Sequence, residues 1–372
     1  VNALERSLLQ TILSCPTAPF REHRVRAAVE RAAKNLGLPA RRDGFGNLYV
    51  SYRHGRARPL ALTAHMDHPG FEIVDPGPPL MARLLGGVSH DMLLDAPVIF
   101  HATGERPARR HAPGVRGRIA RVLPVGPKPP GARRPEVRVV IDAEGPVAAD
   151  AFGHFDFPGC DFRGDVLHSK ALDNVLSCVL IVSTLARLRR RRAAANVLGV
   201  FTRAEEVGFV GAGGVLRSRV LAPSRPLVVL ECSKARGDVM IGGGPVLRVG
   251  DRMTAFDPEM DLWSSDRAAQ LAQGTSDFRY QRALMTGGAC EASLYMLHGR
   301  KTGAIAIPLG NYHNMTDDGR IGAEFIHVRD FEDALRLLTD LCSNPPSASI
   351  VRARRAELDR VFAHARARLA AD

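Results

Sequence analysis

Four apolar runs in this chain each stop at a residue that can bind a metal. "LALTAH" (60–65) ends at His65, with Asp67 two residues on. "VLGVFTRAEE" ends at the adjacent acids Glu205 and Glu206, "LVVLE" at Glu231, and "AIAIPLGNYHN" near His313. Asp173, in "KALDN", is a fifth candidate. Each has an ordinary reading when taken alone. A strand-end histidine can be a surface residue, Asp173 a helix N-cap, and the acid pair a solvated helix start. Glu231 resists such a reading, because an unpaired carboxylate after a buried run is costly. Taken together, in this order on one sheet, the five positions point to one site. In open α/β sheets, ligands bind beyond the carboxyl ends of the strands.

Imidazole and carboxylate together suit two divalent ions, zinc first, with cobalt or manganese as other choices, better than calcium. Two such ions lie about 3.5–4 Å apart and need a bridging anion. Asp173, with two oxygens to share, is the natural bridge. His65 and one acid would complete one ion, and His313 and another acid the second. A remaining carboxylate would be free to act as a general base. Asp67 falls on the same side of its strand as His65 and can accept the proton of the second ring nitrogen.

These residues need a scaffold. Residues 4–14 and 22–36 have helical periodicity, and 47–53 and 60–65 read as strands. From 71 to 162 the pattern changes to short alternating pieces broken by glycine and proline, with the linker "PVGPKPPGARRP" among them. That predicts a small β domain inserted into a larger one. Beyond it, strands and helices alternate, from the helix "SKALDNVLSCVLIVSTLARLRRR" to the closing helix "VRDFEDALRLLTDLC". The expected fold is α/β: a mostly parallel, mixed central sheet with helices on both faces, plus an inserted small β-barrel-like domain. Residues 1–70 and 163–372 would form the catalytic domain, and 71–162 the insertion.

At 372 residues the chain exceeds one usual core, and 45% hydrophobic with 24% charged residues is a globular balance. No apolar run approaches the roughly 20 residues of a membrane span. The net charge of +12 raises nucleic acid as a partner. The arginines are scattered, however, and the two dense runs lack repeated interleaved aromatics, so that reading is set aside. The six cysteines form no CxxC pair. A soluble cytoplasmic protein with reduced thiols is the simplest expectation.

The motifs resemble those of the M42 family of dinuclear metal aminopeptidases, related to the M28, M20 and M18 peptidases, and the resemblance covers almost the whole chain. "AHMDHPGF" is similar to an H-x-D-x-x-G segment and "SKALDN" to K-A-x-D-N. "TRAEEVGFVGA" matches x-x-E-E-x-G-x-x-G-A, the most specific of these, and "IPLGNYHN" the strand carrying the last histidine. The resemblance implies that His65, Asp173 and Glu231 hold one metal, and Asp173, Glu206 and His313 the second. Glu205 becomes the general base and Asp67 the residue orienting His65. It also implies peptide substrates with a free N-terminus and a large homo-oligomer, often a dodecamer, built partly through the insertion. There are departures. "HMDHPGF" lacks an acid after the aspartate, "KALDNV" lacks an arginine, and "HNMTDD" lacks the usual "HS". "GGACEASLY" replaces a G-G-T-D-A-type segment, where Glu291 can stand in as a substrate-binding acid. The competing readings are a carboxypeptidase or deacylase of the M20 branch and a non-catalytic binding protein. The insertion precedes "KALDN", unlike the M20 arrangement, and no ligand or base is missing.

Overall fold

The computed structural model describes residues 1–103, 114–128, 135–347 and 349–369. Residues 129–134 of the proline-rich linker lie outside that set. The main sheet has eight strands. In spatial order they are Ala40–Arg42, Leu48–His54, Ala195–Thr202, Pro59–His65, Leu227–Lys234, Thr302–Leu309, Val246–Gly250 and Gln281–Leu284. The central four run parallel. They are the four runs that the sequence ends in His or Glu, so all four carboxyl ends emerge on one side. Thr202 pairs with His65, which keeps two of those ends level. Mixed character enters on both sides of this group, where Leu48–His54 and Val246–Gly250 pair antiparallel to it.

The central strands are apolar because both faces are covered. On one face lie the helices Ala3–Leu13, His23–Asn35, Val175–Arg191 and Val328–Ser343, packed with the sheet into the largest core. On the other lie Val210–Arg217 and Glu291–Leu297. The helix after "KALDN" begins at Val175, later than its sequence pattern predicts. Ser169 ends a short strand, and the intervening turn is held from outside. Lys170 Nζ donates to the carbonyls of Leu13 and Cys15 at 2.8 and 2.6 Å, and Asn174 Nδ2 to that of Leu230 at 2.7 Å.

The insertion is a closed antiparallel barrel. Its strands are, in order around the wall, Gly70–Asp75, Leu80–Leu85, Val137–Ala143, Val115–Val122, Pro97–His101 and Phe152–Phe155. Phe71, Phe100, Ile119, Val139 and Phe155 fill it. Closure leaves no free sheet edge, which suits a small β unit with no covering helix. A three-stranded sheet, Asp161–Arg163, Val166–Ser169 and Glu324–His327, joins the return from the barrel to the closing helix. The last helix, Ser349–Leu369, buries none of its residues. No helix among the described residues is long and apolar enough to cross a membrane.

Candidate metal centre

The strand ends, with Asp173 from the turn before the helix at Val175, bring His65, Asp173, Glu205, Glu206, Glu231 and His313 into the lining of one cavity of about 380 Å³. Asp173 stands between the two histidines. Its Oδ1 lies 3.6 Å from His65 Nε2 and its Oδ2 lies 3.4 Å from His313 Nε2. Glu231 Oε2 and Glu205 Oε2 approach His65 Nε2 to 3.7 and 3.8 Å. Glu206 Oε1 lies 3.2 Å from His313 Nε2. Ligand atoms of His65, Asp173 and Glu206 come within 4.8 Å of one another, and so do those of His65, Glu205 and Glu231.

Both imidazoles are turned so that Nε2 faces the cluster. His65 Nδ1 donates to the carbonyl of Asp67 at 3.1 Å, and His313 Nδ1 to the carbonyl of Gly87, beside the barrel wall, at 2.7 Å. Main-chain carbonyls only accept, so each Nδ1 carries the proton and each Nε2 keeps its lone pair, the tautomer a metal-binding histidine needs.

The adjacent acids reach one pocket because the chain turns sharply after Thr202. Ala204, Gly208 and Phe209 all have positive φ, at 48°, 125° and 63°. Asp67 fixes this turn by its carboxylate. Oδ1 accepts the Glu205 N–H at 3.0 Å and Oδ2 the Glu206 N–H at 3.1 Å. The same carboxylate lies 3.5 Å from His65 Nδ1, so its tighter bonds are to the turn.

Two positioning residues were not found by sequence reasoning. Glu324, fully buried, accepts the N–H groups of Leu172 and Asp173 on Oε2 at 2.7 and 3.0 Å, and that of His313 on Oε1 at 2.8 Å. The signal available was a lone acid in the short strand "EFIH". His68 bonds the Asp173 carbonyl through Nδ1 and Asn314 Oδ1 through Nε2 at 2.9 Å. It occupies the place where the sequence departs from the family's acid. Glu291 is fully buried, is not part of the cavity wall, and faces Thr63 Oγ1 at 3.4 Å. Burial pushes its carboxyl up to about 7.

The electrostatics are those of a site that expects cations. Burial opposes the charge of Asp173, but the two imidazoles that face it, His313 and His65, hold its carboxyl well below the ordinary range. Burial drives Glu205 well above that range, against the attraction of His65 and with the repulsion of Glu206 and Glu231. Burial raises Glu231 too. Asp173 Oδ1, Glu206 Oε1, Glu231 Oε1 and His313 Nε2 are buried with no hydrogen-bond partner. Buried orphaned acceptors beside these clustered ligand atoms are what metal binding would satisfy, so the residues present fit a metal centre.

A parallel-centred α/β sheet bearing this cluster beyond its strand ends has the donor set of a metal-dependent hydrolase. The chain belongs to the M42 glutamyl aminopeptidase family, whose sequence model matches residues 147–337. A curated relative from Acetivibrio thermocellus, with a provisional aminopeptidase name, is 25% identical over 342 residues, 86% of this chain and 92% of its own length. Among solved structures, the Pyrococcus horikoshii TET1 peptidase, described as able to assemble into a tetrahedron or a large octahedral shell, superposes with a TM-score of 0.71. It shares 22% identity, covering 91% of this chain and 99% of its own. An aminopeptidase from Desulfurococcus kamchatkensis superposes with a TM-score of 0.72 at 21% identity, covering 92% of this chain and 95% of its own.

Proposed function

We propose that this aminopeptidase is dinuclear and removes residues from the free N-terminus of peptides. The observation that carries the reading is Asp173, whose two oxygens face different histidines. His65, Asp173 and Glu231 would hold one divalent ion, and Asp173, Glu206 and His313 the other. Zinc is the first choice for these donors, with cobalt or manganese next. Such a pair, when bound, acidifies a water and stabilises the negative charge that develops on the scissile carbonyl.

Glu205 is the residue left over. Its carboxylate reaches into the cavity wall, where it takes the proton of the attacking water and delivers it to the departing amine. Residues 287–290 line the cavity beside the acids and would shape the bound substrate. The buried Glu291 belongs to the packing behind them, so the substrate ammonium is assigned to the acids of the centre instead. We assign 71–162 to an oligomerisation and access domain, and 1–70 with 163–372 to catalysis. The chain would form a closed homo-oligomer, checked by light scattering.

Glu205→Gln, reconstituted with zinc, tests the assignment. Two metals per chain by elemental analysis with turnover of free aminoacyl amides abolished is the expected result. Loss of a metal would make Glu205 a ligand, and retained hydrolysis would remove it as the base. Cleavage of N-blocked substrates alone would replace the aminopeptidase by another amide hydrolase.

A further inference from the structure

Only the start of the 21-residue helix Ser349–Leu369 is anchored. Ile350 packs against the main core, and Arg354 pairs with Asp266 of the helix Pro258–Gly274 at 3.5 Å. Beyond Arg354, its side chains make no hydrogen bond or ion pair with the rest of the chain among the described residues.

This free length is patterned. At about 100° per residue, Val351, Leu358, Val361, Phe362, Ala365 and Leu369 fall within an arc of about 100°. Leu358, Val361, Phe362 and Leu369 are between 61% and 73% exposed. Arg355 and Arg366 border the arc on one side and Arg368 on the other. Arg354 falls inside it and is engaged with Glu357 at 2.9 Å as well as with Asp266. Six arginines stand against the two acids Glu357 and Asp359, so the helix carries a net +4 with His364 neutral.

The arginines continue onto the body. In the turn before Pro59, Arg58 Nη2 donates to the carbonyl of Pro345 at 2.9 Å, close to where the helix begins. A Cβ on Gly55, in the same turn, would lie 3.1 Å from that of Ala194. The turn therefore links the helix to Arg190, Arg191 and Arg192, which are exposed and make no ion pair among the described residues. This basic surface lies where the strand Pro59–His65 begins, at the opposite end of that strand from His65 and the cavity.

An exposed apolar stripe of this kind marks a contact surface, and the charge selects the contact. Two copies of the helix would bring like-charged edges together, so charge opposes a second copy. A nucleic acid would take up the arginines and leave Leu358, Phe362 and Leu369 in water. A negatively charged bilayer accepts both, with apolar side chains entering the acyl boundary and arginines meeting lipid phosphates. A basic surface spread over three segments also suits a broad plane better than a groove.

We propose that Ser349–Leu369 seats this protein on the surface of a bilayer containing anionic lipids, lying in the interface rather than crossing it.

The test is sedimentation of the full chain with vesicles, either of phosphatidylcholine alone or of phosphatidylcholine mixed with phosphatidylglycerol. Binding to the mixed vesicles should be tighter by at least about 10-fold and should weaken with added salt. Leu358→Ser combined with Phe362→Ser should weaken it by at least about 10-fold, through the loss of buried apolar area. Arg355→Gln combined with Arg366→Gln should weaken it by about 10- to 30-fold, roughly fivefold per arginine. Thermal melting of both double variants should match wild type, because these side chains are exposed. In Phe362→Trp, emission should move to the blue on the mixed vesicles, while the native Trp263 is already buried. No preference for the mixed vesicles, binding untouched in the serine variant, or unmoved emission overturns the proposal. A smaller oligomer by light scattering in the serine variant, with vesicle binding intact, would give the stripe to a second copy instead. Capture of an RNA oligonucleotide without capture of vesicles would give the arginines to nucleic acid and overturn it equally.

Discussion

Asp67 holds Glu205 by its main chain, accepting the Glu205 N–H at 3.0 Å while its second oxygen takes the N–H of the next residue at 3.1 Å. Two adjacent acids can share one pocket because a third acid, buried between the strand ends, fixes the turn that carries them. Asp67→Asn replaces one of those oxygens by an amide that faces a donor. A buried unmatched donor costs about 1–3 kcal/mol. Asp67→Asn should lower the urea midpoint accordingly and reduce kcat, with the far-ultraviolet circular dichroism spectrum unchanged. An unaltered kcat would show that the turn does not need this clamp.

The turn has a second requirement at Gly211. A Cβ there would lie 2.3 Å from Arg203 O and 2.4 Å from Arg203 N. Backbone cannot yield as a side-chain tip can, and such overpacking costs about 1–3 kcal/mol or more. Gly211→Ala should be destabilised and nearly inactive. Gly213→Ala meets only the end of Arg217, at 3.3 Å, and should be close to wild type in both respects. Equal thermal melting of the two variants would remove Gly211 from the account of the turn.

Apart from Asp173, which precedes a helix, the residues of the centre were legible because they end apolar runs, and buried parallel strands must send their carboxyl ends to the same side. The mixed edges of the sheet were expected only in outline, since short edge strands carry little periodic signal. Asp67 was read as a partner of the His65 ring, for which strand spacing gave a reason. Its bonds to the Glu205 and Glu206 amides depend on a parallel pairing across more than a hundred residues, which no local pattern records. Glu324 and His68 were invisible for the same reason, since Glu324 grips main-chain groups that any sequence would supply and His68 a main-chain carbonyl and a side chain distant in sequence. The late start of the helix at Val175 was missed because its restraints, Lys170 and Asn174, bond to distant carbonyls.

Glu291 gives a pH test. Burial raises its carboxyl from 4.5 to about 7. Below pH 4.5 the group is protonated in both the folded and unfolded chain. As pH rises towards 7 the unfolded chain releases the proton and the folded chain keeps it, which favours unfolding. Its contribution is fully present below pH 4.5 and lost as pH rises through about 7. The effect amounts to at most roughly 3 kcal/mol. In metal-free protein, the urea midpoint of wild type should fall over this window relative to that of Glu291→Gln. Parallel curves for the two proteins would place the carboxylate in a wetter environment than the structure gives it.

If the proposed dinuclear assignment holds, removing single ligands separates the two metals. Glu206 stands nearest His313, whereas Glu231 stands with His65. Glu206→Ala is expected to bind one zinc and Glu231→Ala to lose the other. Elemental analysis counts the ions, and cobalt absorption spectra of the two variants should differ because different ligand sets remain. Two zinc ions retained in both variants would refute the proposed division of ligands.

Glu324 carries the last prediction. One oxygen grips the chain at Leu172 and Asp173, and the other grips His313, so a single carboxylate sets the distance between Asp173 and the histidine it faces. His313 needs that grip, because its φ of 56° is left-handed and unfavourable for a residue with a Cβ. Glu324→Gln puts an amide donor against one of these N–H groups. Partners behind metal ligands typically change metal affinity by about 10- to 100-fold. Competition with a zinc chelator should therefore show weaker binding of about that size in Glu324→Gln, together with reduced kcat. Excess zinc should restore part of the activity, because the ligands themselves are intact. Unchanged zinc affinity with lowered thermal stability would reduce Glu324 to a packing role and leave the spacing of Asp173 and His313 to the strand ends alone.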